Sequence, residues 1–153
     1  MYKFDHLIAK EALKAFYSSQ NLDQTANANL ITYYPLGFVK IPFVNLSARK
    51  AFLHLHDLNH ILLNVDTTVR GEAQLAALEL GSGFPAQCRI GYLYSPFALL
   101  PGLVLCPIRV FKSYFRGRKI KNACHVKMQK DQLLNCTVLE IKTYLGLVSE
   151  GEH

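Results

Sequence analysis

Residues 48–63 constrain the fold most, because they predict one helix whose apolar side chains cover nearly its whole circumference. These side chains are Phe52, Leu53, Leu55, Leu58, Ile61, Leu62 and Leu63. A helix that is apolar on all sides is normally buried, so the other elements must pack around it. The break at residues 64–67 is short, and Asp66 or Thr67 is suited to cap a second helix that reaches about Leu80. The sequence therefore predicts a central antiparallel helix hairpin.

The remaining segments predict an all-α fold, a compact single-domain helical bundle around that hairpin. We expect helices at about residues 5–16 and 138–147, and an extended or irregular segment at residues 36–45. The chain has 153 residues, enough for one domain to bury a core without disulfides. We assign residues 1–147 to this domain and residues 148–153 to a flexible tail.

Residues 90–108 carry no charged side chain and allow two interpretations. As one helix they would reach about 28 Å, close to the thickness of a bilayer core. They also contain Pro96, Pro101 and Pro107, which disfavour one long helix. We expect two short buried helices with a break near residues 100–102, and the alternative is a spanning or re-entrant membrane segment.

Polar residues interrupt the apolar helix at His56, Asp57 and His60. The two histidines are four residues apart and lie on one helix face, which Asp57 borders. Burying a carboxylate beside two imidazoles is costly unless a partner compensates, and a divalent cation would do so. The simpler alternative is a histidine pair without metal, with Asp57 as the hydrogen-bond partner of a neutral imidazole.

Glu72 is expected in an early turn of the second helix, where an antiparallel hairpin would bring it near His60. Glu79 lies seven residues later on the same face and is a candidate to line the same cavity. The alternatives are that Glu72 only interacts favourably with the helix dipole as a first-turn acid and that Glu79 is a surface acid. The predicted metal ligands are therefore His56, Asp57, His60 and Glu72.

The pattern His56-Asp57-x-x-His60, followed after eleven residues by Glu72, resembles the signature of the coenzyme Q (ubiquinone) biosynthesis protein four family. The resemblance covers residues 48–147. Beyond the ligands it includes Gly71 before Glu72, the Gly83-Phe84-Pro85 segment and the closing Leu145-Gly146-Leu147. It implies an all-helical fold, zinc as the usual metal on those four ligands, an apolar groove for a polyprenyl tail, and a position on a membrane surface.

The resemblance also implies an activity. Family members are credited with removing the ring carboxyl, at C1, of a polyprenylated hydroxybenzoate, and with organising other quinone-biosynthesis proteins. We therefore expect a metal-dependent decarboxylase, a lyase, in which His60 and Glu72 are catalytic because either can handle a proton. Zinc is the first expectation for the divalent metal, and iron, manganese and magnesium are the alternatives because the ligand types do not separate them.

The formal net charge of +6 is concentrated after an apolar stretch that ends at Leu105. That stretch is expected to be either ordinary core or the wall of a prenyl groove. We expect Arg109, Lys112 and Arg116 to hold a lipid headgroup and to face a membrane, with a solvated helix face as the alternative. The expected partners are a polyprenylated aromatic or other prenyl lipid, the membrane surface, other quinone-biosynthesis proteins and a second copy of the chain, but no nucleic acid.

Other functions remain open at this point. A non-catalytic prenyl-lipid scaffold would present its ligand to quinone-biosynthesis enzymes and use the metal structurally. A metal-dependent phosphohydrolase would use the His-Asp pair, but a further His and a distal Asp are not apparent. The first residues lack the pattern of a signal peptide. We therefore expect a peripheral membrane or cytoplasmic protein that is not secreted, on the matrix side of the inner mitochondrial membrane in a eukaryote.

Overall fold

The structure is a computed structural model that describes residues 4–20, 31–36, 39–44 and 47–148. The helices are α1 (Ala9–Gln20), α2 (Ser47–Leu63), α3 (Val69–Ser82), α4 (Gly91–Leu105), α5 (Pro107–Gly117), α6 (Lys130–Asn135) and α7 (Val138–Tyr144). Strands β1 (Ile31–Leu36) and β2 (Val39–Val44) form one antiparallel hairpin. The predicted all-α bundle is confirmed; β2 lies in the region 36–45 that was expected to be extended or irregular, whereas β1 precedes it.

The main core lies where α1, α2 and α7 meet. The buried residues of α1 are Ala9, Ala12, Leu13 and Phe16, which have the spacing of one helix face. The first helix begins at Ala9 rather than near residue 5, because the preceding residues pair with another segment. The Leu7 and Asp5 carbonyls accept from the Val138 and Leu139 amides, and the Ala9 amide donates to the Cys136 carbonyl. A buried ion pair of 2.6 Å between Lys142 Nζ and Asp5 Oδ1 fastens the same two segments together.

The helix α2 ends in a tight turn that redirects the chain into α3. Asn64 adopts a left-handed conformation with φ of 52°, which asparagine tolerates better than most residues. The Val65 amide donates to the His60 carbonyl at 3.0 Å, and the Asn64 amide donates to the Ile61 carbonyl at 3.4 Å. These two bonds form a Schellman motif, so His60 lies in the last turn of α2 and faces the start of α3.

The helix α3 is the middle layer of the structure. The Thr68 hydroxyl caps it by accepting from the Gly71 amide at 3.1 Å, and Gly83 ends it with φ of 79°. One face of α3 carries Glu72 and Glu79 towards α2. Its other face packs on α4 and α5, where Gly117 lies directly against the Leu78 backbone because it lacks a Cβ. The predicted antiparallel hairpin of α2 and α3 is confirmed by these contacts.

The segment 90–108 differs from the prediction in two ways. The helix break lies at Cys106 rather than near residues 100–102, since Cys106 leaves the helical conformation just before Pro107. The helices are also not buried, because only Gly91, Ser95 and Gly102 of α4 are enclosed. The pattern of apolar residues did not reveal that most of these side chains face outward. Among the described helices, none has the length and apolar character needed to cross a membrane.

Two predictions fall outside the described residues. The polar residues 18–29 have no strong core pattern and predict a loop or a short helix; only residues 18–20 of this stretch are described, and they belong to α1. Of the expected flexible tail, only residue 148 is described. The assignment of residues 1–147 to a single domain stays a prediction.

Candidate metal centre

His56, His60 and Glu72 converge between α2 and α3. Each of these residues offers one ligand atom, and the three atoms all lie within 4.8 Å of one another. The Nε2 atoms of His56 and His60 are each 3.2 Å from a different oxygen of the Glu72 carboxylate. The site is mostly enclosed: the side chain of His60 is 1% exposed, that of His56 15% and that of Glu72 22%. It therefore opens to solvent at the His56 and Glu72 side.

Each histidine has its other ring nitrogen occupied by an acceptor. Nδ1 of His60 lies 3.0 Å from the carbonyl oxygen of Val65, which can only accept, so this nitrogen carries the proton. Nδ1 of His56 lies 3.1 Å from both oxygens of Glu79 and likewise donates. A neutral imidazole with a proton on Nδ1 presents a lone pair at Nε2. In that neutral form, which a metal ligand requires, both Nε2 lone pairs would be directed at the Glu72 side of the site.

Glu79 and Asn59 hold the His56 ring in place through its Nδ1 atom. Glu79 is 1% exposed and Asn59 is fully buried. The Asn59 amide nitrogen donates to Glu79 Oε1 at 2.8 Å, and its oxygen accepts from the Ala123 amide at 2.7 Å. The chain of bonds from Ala123 through Asn59 and Glu79 fixes the orientation of the His56 ring. A carboxylate behind a histidine ligand is the usual outer support of a metal site.

The charges at the site shift the pKa values of its members. Burial lowers the pKa of His56, but the Glu79 charge and the hydrogen bonds that His56 donates to Glu72 and Glu79 outweigh it, and the pKa lies well above its usual range. Burial raises the pKa of Glu72, but hydrogen bonds and charge from His56 and His60 hold it well below its usual range. In the absence of a cation, a protonated His56 relieves the repulsion between the acceptors.

These residues fit a divalent metal. Three acceptor atoms that face one another repel unless a positive centre lies between them, and imidazole nitrogen with carboxylate oxygen is a common donor set. Two buried or half-buried carboxylates, Glu72 and Glu79, would balance the charge of one dication while both imidazoles stay neutral. The group formed by His56, His60 and Glu72 can therefore hold a metal ion, and the donor types do not select one metal.

Asp57 is the predicted ligand that the structure does not bring into this group. Its Oδ2 accepts a hydrogen bond of 2.7 Å from the hydroxyl of Tyr17, on α1. Burial raises the pKa of Asp57, and the nearby histidines and the Tyr17 bond oppose that rise. The structure thus brings together three of the four predicted ligands, and a metal-binding role for Asp57 stays a prediction.

The three cations predicted to hold a lipid headgroup, Arg109, Lys112 and Arg116, lie elsewhere. They are exposed on α5, across α3 from the candidate metal centre. They share this surface with large exposed apolar side chains, which we call the α4–α5 face: Leu100, Leu103, Val104, Leu105, Ile108, Phe111 and Phe115. An open groove of about 630 Å³ runs along α5 between Phe111, Phe115 and the basic side chains. None of the three residues of the metal centre lines this groove.

Three supporting residues were not predicted as parts of the site. Asn59 could have been suspected, because it is a polar residue inside an apolar helix that must be satisfied when buried. Phe16, whose ring stacks on His60 at 5.6 Å between centroids, and Tyr17 come from α1 and carry no such signal. Glu79, predicted only as a possible neighbour or a surface acid, is one of the least exposed residues.

Comparisons of this chain with protein-family models, curated proteins and solved structures found no match. The geometry of the site and the sequence pattern therefore carry the functional argument.

Proposed function

We propose that this chain is a divalent-metal protein that acts on the carboxyl group of a polyprenylated hydroxybenzoate at a membrane surface. The metal-binding part of the proposal rests on the convergence of the Nε2 atoms of His56 and His60 on the Glu72 carboxylate, each at 3.2 Å. The substrate class comes from the resemblance to the coenzyme Q biosynthesis protein four family, whose His-Asp-x-x-His and Glu pattern is reproduced by residues 56–72. Ring decarboxylation is the reaction that this resemblance favours.

His56, His60 and Glu72 would hold the metal. Three protein ligands with a further open position are typical of catalytic sites, whereas structural sites are closed by four. The bound metal would supply Lewis-acid stabilisation of the charge that develops as the carboxyl leaves. Glu79 and Asn59 would keep the His56 ring in its ligand orientation, and Val65 would do the same for His60.

The reaction needs one proton. The bond between the ring carbon and the carboxyl carbon breaks, its electron pair stays on the ring carbon, and that carbon takes up a proton as carbon dioxide leaves. Of the two predicted catalytic residues, His60 has Nδ1 committed to Val65 and is almost fully buried. The proton would come from a solvent water at the open His56 and Glu72 side of the site, and the Glu72 carboxylate, the most exposed member of the site, would accept a hydrogen bond from that water and orient it.

The α4–α5 face supports the membrane part of the proposal. Val104 is 83% exposed, Ile108 71% and Phe111 57%, which is unusual for side chains of this size. Residues 80–130 contain no Asp or Glu. Anionic lipid headgroups complement such a surface, and each basic residue near the membrane contributes about 1 kcal/mol. On this proposal the protein is peripheral, and in a eukaryote it would lie on the matrix side of the inner mitochondrial membrane.

A second candidate is the non-catalytic scaffold, which would present a prenyl lipid to other quinone-biosynthesis proteins, with the chain as a homo-oligomer. The metal centre contributes none of the side chains that line the groove of the α4–α5 face, which favours this candidate because a lipid held in that groove would not need a catalytic metal. In this case the metal would be structural.

One experiment tests the proposal and separates the two candidates. The full chain is purified without chelator, its metal is measured by elemental analysis, and it is incubated with a prenylated 4-hydroxybenzoate in anionic vesicles. We expect about one metal per chain and release of carbon dioxide, with both lost in Glu72→Gln. Stoichiometric metal without turnover would refute the decarboxylase and leave the scaffold as the remaining candidate. Absence of metal from the wild-type protein would refute both candidates.

A further inference from the structure

Cys88 and Cys124 form a buried thiol pair outside the metal centre. The chain has four cysteines, all of them free thiols, and these two are 1% and 0% exposed. They share a small buried cluster with the rings of Phe52 and Phe84, and the two thiols hydrogen-bond to each other. The side chain of Gln87, next to Cys88, also donates to the carbonyl oxygen of Cys124 at 2.8 Å. The two sulfur atoms are therefore neighbours in the fold.

Each cysteine of this pair lies in a single 3-10 turn rather than within a long helix. Cys88 ends the turn Ala86–Cys88, and Cys124 is the middle residue of the turn Ala123–His125. The residues on either side of Cys88 are exposed, so its thiol lies just beneath the surface. A disulfide needs the two sulfur atoms about 2.05 Å apart. Single turns can adjust to that distance, and can open locally to a small oxidant, more readily than long helices do.

The hydrogen bond makes the two thiols unequal. Cys124 donates it, which lowers the pKa of Cys88 and raises that of Cys124, while burial and the charge of Glu79 oppose ionisation of both. The thiolate is the reactive form in cysteine oxidation, so Cys88 is the residue that a peroxide would attack first. Cys124 is then the neighbouring thiol that can convert the oxidised product into a disulfide.

The residue before Cys124 is connected to the metal centre by hydrogen bonds. The Ala123 amide donates to Oδ1 of Asn59 at 2.7 Å. Asn59 in turn donates to Glu79 at 2.8 Å, and Glu79 accepts from Nδ1 of His56. Asn59 is fully buried, so water does not replace a bond that it loses. Drawing Cys124 to disulfide-bonding distance of its partner would displace Ala123 and weaken the first bond of this series.

We propose that Cys88 and Cys124 are a redox-sensitive pair whose oxidation to a disulfide lowers the affinity of the metal centre for its metal. With hydrogen peroxide as the oxidant, the Cys88 thiolate takes one oxygen and becomes a sulfenic acid, and the other oxygen leaves as hydroxide. The Cys124 sulfur then attacks that of Cys88, the S–S bond forms, and the hydroxyl leaves with the Cys124 proton as water. Two thiols and one peroxide thus give one disulfide and two waters, and the two electrons that the sulfurs lose pass to the peroxide.

The formation of the disulfide does not depend on the proposed function, whereas its effect on the metal rests on it. The first part is tested by treating the metal-free full chain with hydrogen peroxide, which catalase then removes. We expect two of the four thiols to disappear, counted in denaturant, and mass spectrometry to find a proteolytic peptide in which Cys88 is linked to Cys124. Cys106→Ala with Cys136→Ala removes the other two thiols, both half-buried, and should form the same disulfide.

The second part compares the Zn²⁺ affinity of the reduced and the oxidised chain by competition with a chromophoric chelator. We expect the oxidised chain to bind Zn²⁺ about tenfold more weakly, on the scale of outer-sphere effects on metal affinity. Reduction with dithiothreitol, which is removed before the measurement, should restore the affinity. Cys88→Ala with Cys124→Ala is the control: it should bind Zn²⁺ as the reduced wild type does, before and after peroxide. Thermal unfolding checks that each variant is folded, and the wild-type comparison needs no variant.

Four outcomes overturn the inference. Peroxide treatment that yields no disulfide between Cys88 and Cys124 would show that the two thiols are only packed together. A disulfide that leaves the Zn²⁺ affinity unchanged would show that the pair does not act on the metal. An equal loss of affinity in the double alanine variant would assign the effect of peroxide to other residues. A reduced wild-type chain that binds no Zn²⁺ would refute the proposed function, and the inference with it, so the two failures are distinguishable.

Discussion

His60 and Val65 are joined by two reciprocal hydrogen bonds, each of 3.0 Å. The Val65 amide donates to the His60 carbonyl, and Nδ1 of the His60 ring donates to the Val65 carbonyl. The first bond belongs to the Schellman motif that ends α2, and the second orients a candidate metal ligand. Because Asn64 makes this turn with a left-handed backbone, the turn that reverses the chain also directs Nε2 of His60 at Glu72.

Replacing Asn64 by valine should therefore damage both the fold and the site. A β-branched residue in the left-handed region costs about 1–2 kcal/mol. We expect Asn64→Val to lower the free energy of unfolding by that amount in urea denaturation and to weaken metal binding. Asn64→Gly is the control and should retain both properties, since glycine adopts this conformation freely. Wild-type stability and affinity in Asn64→Val would contradict the role given to the turn.

The central hairpin and three of the four predicted ligands followed from the sequence because they depend on local geometry. The spacing of His56 and His60 fixes them on one helix face, whatever packs against it. The short break before Val69 leaves an antiparallel return as the simplest path, and this brings Glu72 to the histidines. Periodicity and turn length were sufficient for this part of the site.

The remaining features depend on tertiary placement and could not be predicted in the same way. The partner of Asp57 is Tyr17, forty residues away, and no local pattern connects them. Hydropathy shows that Val104 and Phe111 are apolar but not that they face outward. The helix break at Cys106 was misplaced because three prolines compete for that role, and only Pro107 ends a helix.

Glu79→Gln should weaken metal binding without removing a ligand. The amide cannot replace the charge that holds Nδ1 of His56, so we expect metal affinity to fall about 10–100-fold, measured by competition with a chromophoric chelator. Glu140→Gln, an exposed acid at the start of α7, is the matched control and should bind metal as the wild type does. Equal affinities in the two variants would exclude Glu79 as the support of His56.

His60→Ala and Glu72→Ala should each lower metal affinity by more than Glu79→Gln does, because each deletes a ligand atom of the group. We expect elemental analysis to find little metal on either variant, while circular dichroism shows that the helices are retained. His60→Ala will also unfold at lower temperature, since its side chain is buried against Phe16 and leaves a cavity. Full metal occupancy in Glu72→Ala would place the metal elsewhere.

The pH dependence of stability should differ between the metal-free and the metal-loaded protein. The pKa of His56 is raised from 6.5 in the metal-free fold, so its contribution is complete below pH 6.5 and is lost as pH rises through the raised pKa. The pKa of Glu72 is lowered from 4.5, so its contribution is complete above pH 4.5 and is lost as pH falls.

A metal ion competes with the proton on His56, so the stabilisation that the metal provides should increase with pH, opposite to the contribution of protonated His56. We expect metal affinity to rise as pH rises, because the ligands must be deprotonated. Thermal unfolding with and without Zn²⁺ across pH 5–8, at one fixed Zn²⁺ concentration of about 100 times the Kd at pH 7, would show a stabilisation that grows with pH. A stabilisation that does not depend on pH would argue against histidine ligands.

The α4–α5 face predicts binding to anionic membranes. We expect the chain to sediment with vesicles that contain phosphatidylserine, and to be released by salt because the basic residues are exposed. Lys112→Gln and Arg116→Gln should each weaken binding about fivefold, the equivalent of about 1 kcal/mol. Phe111→Ser with Phe115→Ser should weaken it further, since both rings are 57% exposed and would insert among the lipid chains.

A matched control separates this surface from net charge alone. Lys10→Gln with Lys14→Gln removes two exposed cations from α1, outside the α4–α5 face, and lowers the net charge by the same amount as the two α5 changes together. If the control weakens vesicle binding as much as the α5 changes do, the attraction is only the overall charge of the protein. If only the α5 changes weaken it, the exposed rings and the basic side chains of α5 act together as the membrane-facing surface.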